Sequence, residues 1–365
     1  MIYIITFFIT SVMAYFVQDG SLHNRKYEVY FSIALTILIP SILGGIRSEF
    51  VGTDNIVYKA AFLKIAAMKS PIQAVSEGQF EVLYNLLCYI VSRFTIDYHW
   101  VCFVTELITV SFMVSGLYYF KNEIPIWLGI LVYLFCQYCN VMNLVRQGIA
   151  LSICFFALRF LREKKWIRYI LWVTIAIFFH TSAYISLLLL IIFKVMEGER
   201  SIWKTVLLII LSTVGVSIIP QMAKSLIGIG ILPSKYLAYV SDSVSISWAH
   251  TIYRLPVLLV ATFMYKKVVD KFDMYKYLYA MLWMEIIIVQ VASIFDPAYR
   301  MSLYFSYAAL VIIPSIQYGL KNDMGNKIIF YTLVVIYLVL YWIFFTVTNG
   351  YGFRYPTYPF VSDVF

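Results

Sequence analysis

Six ionisable residues interrupt runs of sequence that are otherwise long and apolar. They are Glu106, Arg146, His180, Arg254, Glu285 and Arg300. A charge at the centre of a membrane costs at least about 2.5 kcal/mol, so by default each such residue marks a binding site, a proton relay or an ion pair. Several guanidinium groups at one membrane face suit an anionic ligand, because the planar fork binds phosphate through two hydrogen bonds.

Each of these residues also has a structural interpretation. Arg254 and Arg300 lie at the ends of apolar runs, where a long side chain can extend to the membrane surface. Glu106 and Glu285 lie further inside and would pair with an arginine from another helix. His180 closes the apolar run TIAIFFH, and as a lone histidine it would serve as a hydrogen-bonding group.

A glycine-rich segment, GGIRSEFVGTD, follows directly on an apolar run and spans residues 44–54. Its glycines permit turns and close backbone approach. Thr53 or Asp54 can cap a helix predicted over 55–69, which gives an ordinary capped helix at the membrane surface. The alternative is that Arg47 and the capped N-terminus face a phosphate, while Asp54 orients an arginine or a sugar hydroxyl.

The elements that position these residues must be transmembrane helices. The chain has 365 residues, of which 62% are hydrophobic and 13% charged, and its mean hydropathy is +0.84. A soluble domain carries about 25% charged residues, and a soluble core stops growing near ~250–300 residues. A soluble enzyme, a disordered chain and a disulfide scaffold are excluded, as is an outer-membrane barrel, whose strands alternate apolar and polar residues. The sequence predicts an all-α polytopic membrane protein with about 11–13 transmembrane helices in a single integral membrane domain.

Apolar runs of about 15–25 residues recur along the whole chain. The predicted spans are 2–17, 27–46, 98–120, 124–141, 146–161, 166–180, 181–193, 203–219, 253–265, 277–295, 301–318 and 328–346. The segment 79–95 is a further candidate. The stretch 166–193 is predicted either as one long helix or as a hairpin broken near His180. The mixed stretches 47–78 and 220–252 are predicted to be external loops or interfacial helices.

The net charge of +9 is distributed as the positive-inside rule predicts, without the aromatic platforms of a nucleic-acid surface. Basic connectors near 25–26, at 162–168 and at 265–276 are assigned to the cytoplasm. Arg146 would then lie on the wrong side if 79–95 also crossed, so we expect 79–95 to be re-entrant or interfacial. Under this orientation one outer face holds Arg47, Arg146, His180, Arg254 and Arg300.

Motifs for nucleotide hydrolysis and metal catalysis are absent from the sequence. It contains no GxxxxGK[ST], HExxH, DxD or GxSxG element. The five cysteines lie in apolar runs, and the single CxxC of Cys136 and Cys139 falls short of the roughly four ligands that zinc needs. The residues therefore predict chemistry on a membrane-held substrate with no metal and no cofactor.

Four short motifs occur in the order and spacing that one family shows. They are RSEFVGTDNIVY from Arg47 to Tyr58, NLVRQGIA from Asn143 to Ala150, AIFFHTSA from Ala176 to Ala183, and DPAYRMSLYF, which contains Arg300. With these motifs the sequence resembles the EpsG family and, more broadly, Wzy-type O-antigen and exopolysaccharide polymerases, over most of its length. The resemblance implies a GT-C-like architecture shared with O-antigen ligases.

The resemblance also implies a reaction and its partners. A growing glycan would move from undecaprenyl diphosphate to the non-reducing end of another lipid-linked repeat unit, without a metal ion. This would take place at the periplasmic or outer face of the bacterial cytoplasmic (inner) membrane. The lipid-linked donor and acceptor and a chain-length regulator protein are the expected partners, and nucleic acid is not.

For such a reaction, arginines would stabilise the charge that develops on the departing diphosphate. Arg146 and Arg47 are the first candidates for this role, and Arg300 is the third. Arg254 belongs to the same predicted anion-binding set.

The acceptor hydroxyl must lose a proton as it attacks, so a base is also expected. His180 suits this role because the ordinary pKa of histidine is near 6.5, and Asp54 or Glu81 could act instead. Gln147 and Tyr58 would hold sugar hydroxyls or help to orient an arginine.

Three other functions remain open on the sequence. An O-antigen ligase would use the same arginine and histidine chemistry, although the RQGIA and FH-x-SA elements favour a polymerase. A flippase of lipid-linked oligosaccharides would be expected to show inverted repeats, and none is visible. A structural membrane subunit would not need the ordered arginine, aspartate and histidine elements.

Overall fold

The computed structural model of the chain is helical throughout the part that it describes. The described residues are 1–198, 248–292, 297–320, 323–348 and 357–364, with a few single positions between 199 and 247. Within these ranges there is no strand. Two compact units are present, one formed by Met1–Tyr184 with Asp323–Phe365 and the other by Ile185–Asn322. Each unit is described by itself below.

Six of the described helices are long and apolar enough to cross a membrane. They are Ile2–Leu22, Lys26–Gly45, Tyr98–Tyr118, Ile126–Asn143, Pro297–Gly319 and Met324–Val347. Shorter apolar helices cover Val82–Ser92, Trp166–Phe179 and Thr181–Val195. The all-α polytopic membrane fold that the sequence predicts is confirmed. The predicted span 203–219 and most of the loop 220–252 lie outside the described residues.

The first unit contains the segments that carry three of the four family motifs. Its helices are α1 (Ile2–Leu22), α2 (Lys26–Gly45), α3 (Asn55–Ala66), α4 (Pro71–Glu77), α5 (Val82–Ser92), α6 (Tyr98–Tyr118), α7 (Ile126–Tyr133), α8 (Cys139–Asn143), α9 (Val145–Arg162) and α10 (Trp166–Phe179). The last helix of the chain, Met324–Trp342, belongs to the same unit. The core follows the order of the chain, because α1 packs on α2, α2 on α6, α6 on α9, and α9 on α10.

One end of this unit holds the tight basic connectors between α1 and α2 and between α9 and α10. Arg162, at the end of α9, forms a two-pronged ion pair with Glu123 in the connector after α6, and one of its hydrogen bonds measures 2.7 Å. Gln18 of α1 joins the same connector by donating to the carbonyl of Ile124 at 3.1 Å. The opposite end carries residues 46–97, where α3, α4 and α5 lie between two long helices.

Helix α5 does not cross the membrane. Its 11 residues extend about 16 Å at 1.5 Å per residue, whereas spanning needs about 30 Å. It packs against α3 and α4, which belong to the same connector, and Arg93 just after it donates to the carbonyl of Ala66 at 2.6 Å. The length and contacts of α5 therefore fit the prediction that 79–95 is re-entrant or interfacial.

Two helix breaks lie at the same end of the unit. Residues Leu134–Tyr138 form a π-helical turn between α7 and α8, and Leu144 then leaves helical geometry with φ −89° and ψ 50°. His180 ends α10 in an extended conformation with φ −157° and ψ 119°. The stretch 166–193 is thus broken at His180. Helix breaks at membrane depth are tolerated where they are buried in protein or line a polar cavity.

The C-terminal segment 357–364 packs against the residues that follow α2. The backbone N–H of Ser48 donates to the carbonyl of Val361 at 2.8 Å, and the hydroxyl of Ser362 donates to the carbonyl of Ile46 at 2.7 Å. Tyr3 donates to the carbonyl of Thr357. These bonds fix both edges of the segment 46–48.

A buried ion pair joins two helices of the second unit. Its described helices are Leu188–Val195, Trp248–Val269, Tyr275–Val291, Pro297–Ser306 and Ala309–Ser315. The guanidinium of Arg254 donates to Glu285, and their side chains are 12% and 7% exposed. The pairing of Glu285 with an arginine of another helix is therefore observed, and Arg254 is held inside the unit.

Candidate active site

Arg146 lies where the chain resumes its helix after the break at Leu144. It occupies the first turn of α9, and its Nη1 donates to Oε2 of Glu81. Its guanidinium carbon lies 4.1 Å from the ring centroid of Phe80 and 5.6 Å from that of Tyr58. A cation over aromatic faces is stabilised most when it is partly withdrawn from water. Ring stacking and the carboxylate together fix the orientation of the guanidinium.

Glu81 connects Arg146 to the end of α10. Its Oε1 accepts hydrogen bonds from the backbone N–H of Thr181 at 3.2 Å and from the Thr181 hydroxyl at 3.4 Å. Burial alone would raise the pKa of Glu81, but the charge of Arg146 and then of His180 outweighs burial and lowers the pKa below its ordinary value of 4.5. The contact therefore stabilises the fold above that value and loses its contribution as the pH falls further. Glu81 is an ionised partner of Arg146 and a weak base.

Asn85 holds the backbone that presents Phe80 and Glu81. Its Oδ1 accepts from the backbone N–H of Phe80 at 3.3 Å, and its Nδ2 donates to the carbonyl of the same residue. The side chain is fully buried, and a side chain on Gly78 would collide with it. One amide therefore satisfies both backbone groups of a residue that precedes the first turn of α5.

The hydrogen bonds of His180 favour the tautomer that is protonated on Nε2. The backbone N–H of Ser182 donates to Nδ1 at 3.3 Å, and the Ser182 hydroxyl lies 2.7 Å from the same nitrogen. Because a backbone N–H can only donate, Nδ1 is the acceptor and the proton of the neutral ring lies on Nε2. The ring in this state offers a hydrogen-bond donor at Nε2, and the role of His180 as a base stays a prediction.

Asn143 joins the glycine-rich loop to the break before α9. Its Oδ1 accepts from the backbone N–H of Asp54 at 3.2 Å and from the Thr53 hydroxyl at 3.4 Å. Asp54 occupies the cap position of α3, and its side chain does not cap the helix. Among the described residues the carboxylate of Asp54 has no cationic partner. Asn143 thus joins the loop motif and the NLVRQGIA motif into one local structure. Asp54 belongs to the first motif and Arg146 to the second.

Gly52 makes this contact possible, and its replacement by alanine should disturb the site. Its φ is +96°, and a Cβ would lie 2.8 Å from Oδ1 of Asn143. A left-handed conformation costs a residue with a Cβ about 1–2 kcal/mol. We expect Gly52→Ala to lower the melting temperature by a few degrees. Gly325→Ala is the control, and equal losses in both variants would contradict the role of Gly52.

Arg47 lies deeper in the unit and already has a partner. Its Nη1 donates to Oε1 of Glu106 at 3.0 Å and to the carbonyl of Gly44 at 3.0 Å, and the two charged side chains are 0% and 2% exposed. Gly44 leaves the space, because a Cβ there would collide with Cγ of Glu106. The predicted pairing of Glu106 with an arginine is observed. In this conformation Arg47 does not reach the surface, and its contact with a phosphate stays a prediction.

The remaining predicted residues fall in two places. The ring of Tyr58 lies beside the guanidinium of Arg146, and Gln147 follows Arg146 in the chain. Their exposed fractions are 5% and 1%, so both suit orientation of the arginine more than contact with a sugar. Arg254 and Arg300 belong to the second unit. Their convergence with Arg146 stays a prediction.

Four residues of this arrangement were given no role at the site by the sequence analysis, although Asn143 and Thr181 lie within the family motifs. Phe80, Asn85, Asn143 and Thr181 position Arg146, Glu81 and Asp54. Asn85 gives a usable signal, since an amide within an apolar helix needs partners when it is buried. Phe80 gives none, because its type is common throughout the chain.

Comparison with protein families shows that the model of the EpsG family matches residues 30–362, which is nearly the whole chain. Comparison with the curated proteins found no match, and neither did comparison with the solved structures. The matched region includes the loop at 47–58, the break before α9 and the end of α10. The chain therefore belongs to the EpsG family, which is a family of Wzy-like polymerases.

Proposed function

We propose that this protein is a polysaccharide polymerase that elongates a glycan held on undecaprenyl diphosphate. The growing glycan is transferred from this donor to the non-reducing-end sugar of another lipid-linked repeat unit. The observation that carries the proposal is the cluster of Arg146, Glu81 and His180, where three family motifs or their neighbours meet. Family membership supports the same reaction class.

The reaction exchanges one bond for another without oxidation or reduction. The bond between sugar C1 and the diphosphate oxygen breaks, and its electron pair leaves on the diphosphate. The acceptor oxygen forms the new bond to C1, and its proton passes to a base. The lipid diphosphate is released. Because the donor is already activated, no nucleotide is needed, and the residues proposed below act without a metal.

Arg146 is proposed to stabilise the departing diphosphate. Its Nη1 is engaged by Glu81, whereas its Nε is buried and makes no hydrogen bond. A guanidinium that is held by aromatic rings needs little reorganisation when negative charge develops beside it, and this is the condition under which such groups stabilise transition states best. Until the substrate binds, Glu81 holds the arginine in an ion pair and so keeps it from pairing with another anion.

His180 and Asp54 are proposed to divide the proton chemistry. The Nε2–H of His180 donates to an oxygen of the leaving diphosphate, and the carboxylate of Asp54 accepts the proton of the attacking hydroxyl. Asp54 suits the base because the described residues place no cation against its carboxylate, while Glu81 is held by Arg146. Asn143 fixes the backbone of Asp54 and so restrains the side chain.

The two roles predict different responses to substitution. We expect Asp54→Asn to lower kcat about 100-fold or more, because a positioned base contributes about 10²–10⁴-fold. His180→Gln retains a donor and should keep several-fold more activity than His180→Ala. Equal loss in the two histidine variants would assign the base to His180 instead. Glu49→Gln, in the same loop as Asp54, is the control for a change of charge.

The active face is proposed to lie outside the cytoplasmic membrane. The basic connectors gather at the opposite end of the first unit, which the positive-inside rule assigns to the cytoplasm. In intact cells, a cysteine placed at Thr53 should react with a membrane-impermeant maleimide, and one placed at Lys164 should react only after permeabilisation. The reverse pattern would invert the proposed orientation.

Purified protein in liposomes with lipid-linked repeat units tests the function directly. Formation of chains of two or more repeats, with release of one undecaprenyl diphosphate per new bond, supports a polymerase. Movement of repeat units between leaflets without new bonds would identify a flippase. Transfer only to an added lipid A–core acceptor would identify a ligase. A chain-length regulator stays an expected partner, and its addition should change the length distribution and not the bond formed.

A further inference from the structure

An open apolar groove runs along the first unit between α5, α6 and α10. Its volume is about 330 Å³, and its walls include Leu83, Leu86 and Ile90 of α5, Ile108 of α6 and Phe179 of α10. Ile90 is 52% exposed, and the side chains of the other four residues are partly exposed, unlike those of the core. The groove is therefore open at the surface of the first unit.

The groove begins at the polar cluster. Leu83 lies two residues after Glu81, and Phe179 directly precedes His180. Because α5 starts at Val82 and α10 ends at Phe179, the apolar walls and the Arg146–Glu81 contact meet at one point. A cationic group at the mouth of an apolar track is complementary to an amphiphile with an anionic head and a hydrocarbon tail.

We propose that this groove holds the first isoprene units of the lipid diphosphate donor, whose diphosphate lies at Arg146. The inference rests on the proposed function and specifies which surface recognises the carrier lipid. Holding the chain next to the head group would fix the direction from which the diphosphate leaves, and restricted orientation of this kind lowers a reaction barrier. Glycan specificity would then be set elsewhere, on the other side of Arg146.

A photoreactive probe tests occupancy independently of polymerisation. Full-length protein in liposomes is irradiated with a polyprenyl diphosphate that carries a diazirine on its second isoprene unit and no glycan. We expect labelling of α5 and α6 residues that line the groove, competition by unlabelled polyprenyl diphosphate, and weak competition by phosphatidylglycerol. Equal competition by phosphatidylglycerol, or labels placed away from these helices, would overturn the proposal, because the groove would then hold only bulk lipid.

Bulky substitutions test the same site through kinetics. Leu86→Trp and Ile108→Trp should abolish the groove label and raise the KM for an undecaprenyl-linked donor about tenfold, which is the effect expected when one large apolar contact is lost. Monodisperse elution and an unchanged melting temperature in detergent show that the variants fold. Leu171→Trp, at a 58% exposed position of α10 outside the groove, is the matched control.

The two proposals fail in different ways. Unchanged KM values for the long donor in both groove variants would overturn the groove assignment while the polymerase activity stands. Specific groove labelling by the diphosphate probe, together with no chain elongation by the wild-type protein, would overturn the polymerase and leave the groove assignment intact.

Discussion

Arg146→Ala is expected to reduce chain elongation about 10²–10³-fold, so that single repeat units accumulate on undecaprenyl diphosphate. Within the described part of the first unit, this guanidinium is the arginine or lysine group that forms an ion pair with Glu81. Its loss removes the charge that would face the departing diphosphate and the group that orients Glu81. The rate at which the purified protein elongates lipid-linked repeats measures this effect directly.

The protein should remain folded in this variant. The side chains of Arg146 and Glu81 are 16% and 17% exposed, so the stability loss should lie between the about 1 kcal/mol of an exposed pair and the about 3–5 kcal/mol of a fully buried one. Arg146→Lys keeps the charge but loses the planar fork, and it should recover only a small part of the activity. Arg93→Ala is the matched control, because this arginine binds Ala66 and stacks on Tyr89 on the same face. Full polymer length and yield in Arg146→Ala would contradict the proposed role.

Arg47→Ala is expected to have the largest effect on stability, and folded protein should fall sharply. The substitution leaves Glu106 buried at 2% exposure with no cation. Removing one partner of a buried ion pair costs about 3–5 kcal/mol, which is a large fraction of the stability of most proteins. The measurement is the yield of monodisperse protein and its melting temperature in detergent.

A double variant separates this structural role from contact with substrate. Arg47→Met with Glu106→Leu replaces both charges by apolar side chains of similar length, and such replacements are often neutral or stabilising. We expect the double variant to fold and to keep substantial elongation activity. A well-folded double variant without activity would instead show that Arg47 also contacts the diphosphate, as the sequence predicts. A stable Arg47→Ala protein would contradict the structural role.

Much of the fold could be predicted because apolar length and charge placement are properties of the sequence itself. The conflict over the side on which Arg146 lies showed that one segment must be re-entrant or interfacial, and the polar residues at the ends of 79–95 made it the candidate. The break at His180 was also among the predicted alternatives. The partner of Glu106 could not be identified from the sequence. Arg47 lies just after the end of α2, and the burial of Arg47 depends on the space that Gly44 leaves.

The site was predicted in its residue types more than in its geometry. Arg146, Glu81 and His180 were recognised as chemically unusual residues, but their contacts depend on how α5, α9 and α10 meet. The tautomer of His180 depends on the backbone N–H of Ser182, which no side-chain pattern encodes. The support that Asn85 gives to Phe80 likewise depends on a turn whose shape is fixed only in the folded chain.

The hydrogen bonds between segment 357–364 and residues 46–48 also bear on the order in which the chain folds. The bond from Ser362 to Ile46 joins positions 316 residues apart. During synthesis, α1 and α2 can pair early because they are neighbours in sequence, whereas the residues around Arg47 must wait for almost the whole chain. Until then the edge formed by Ile46 and Ser48 lacks its final partners. The structure that supports Arg47 is therefore completed late, after the helices that surround it have been made.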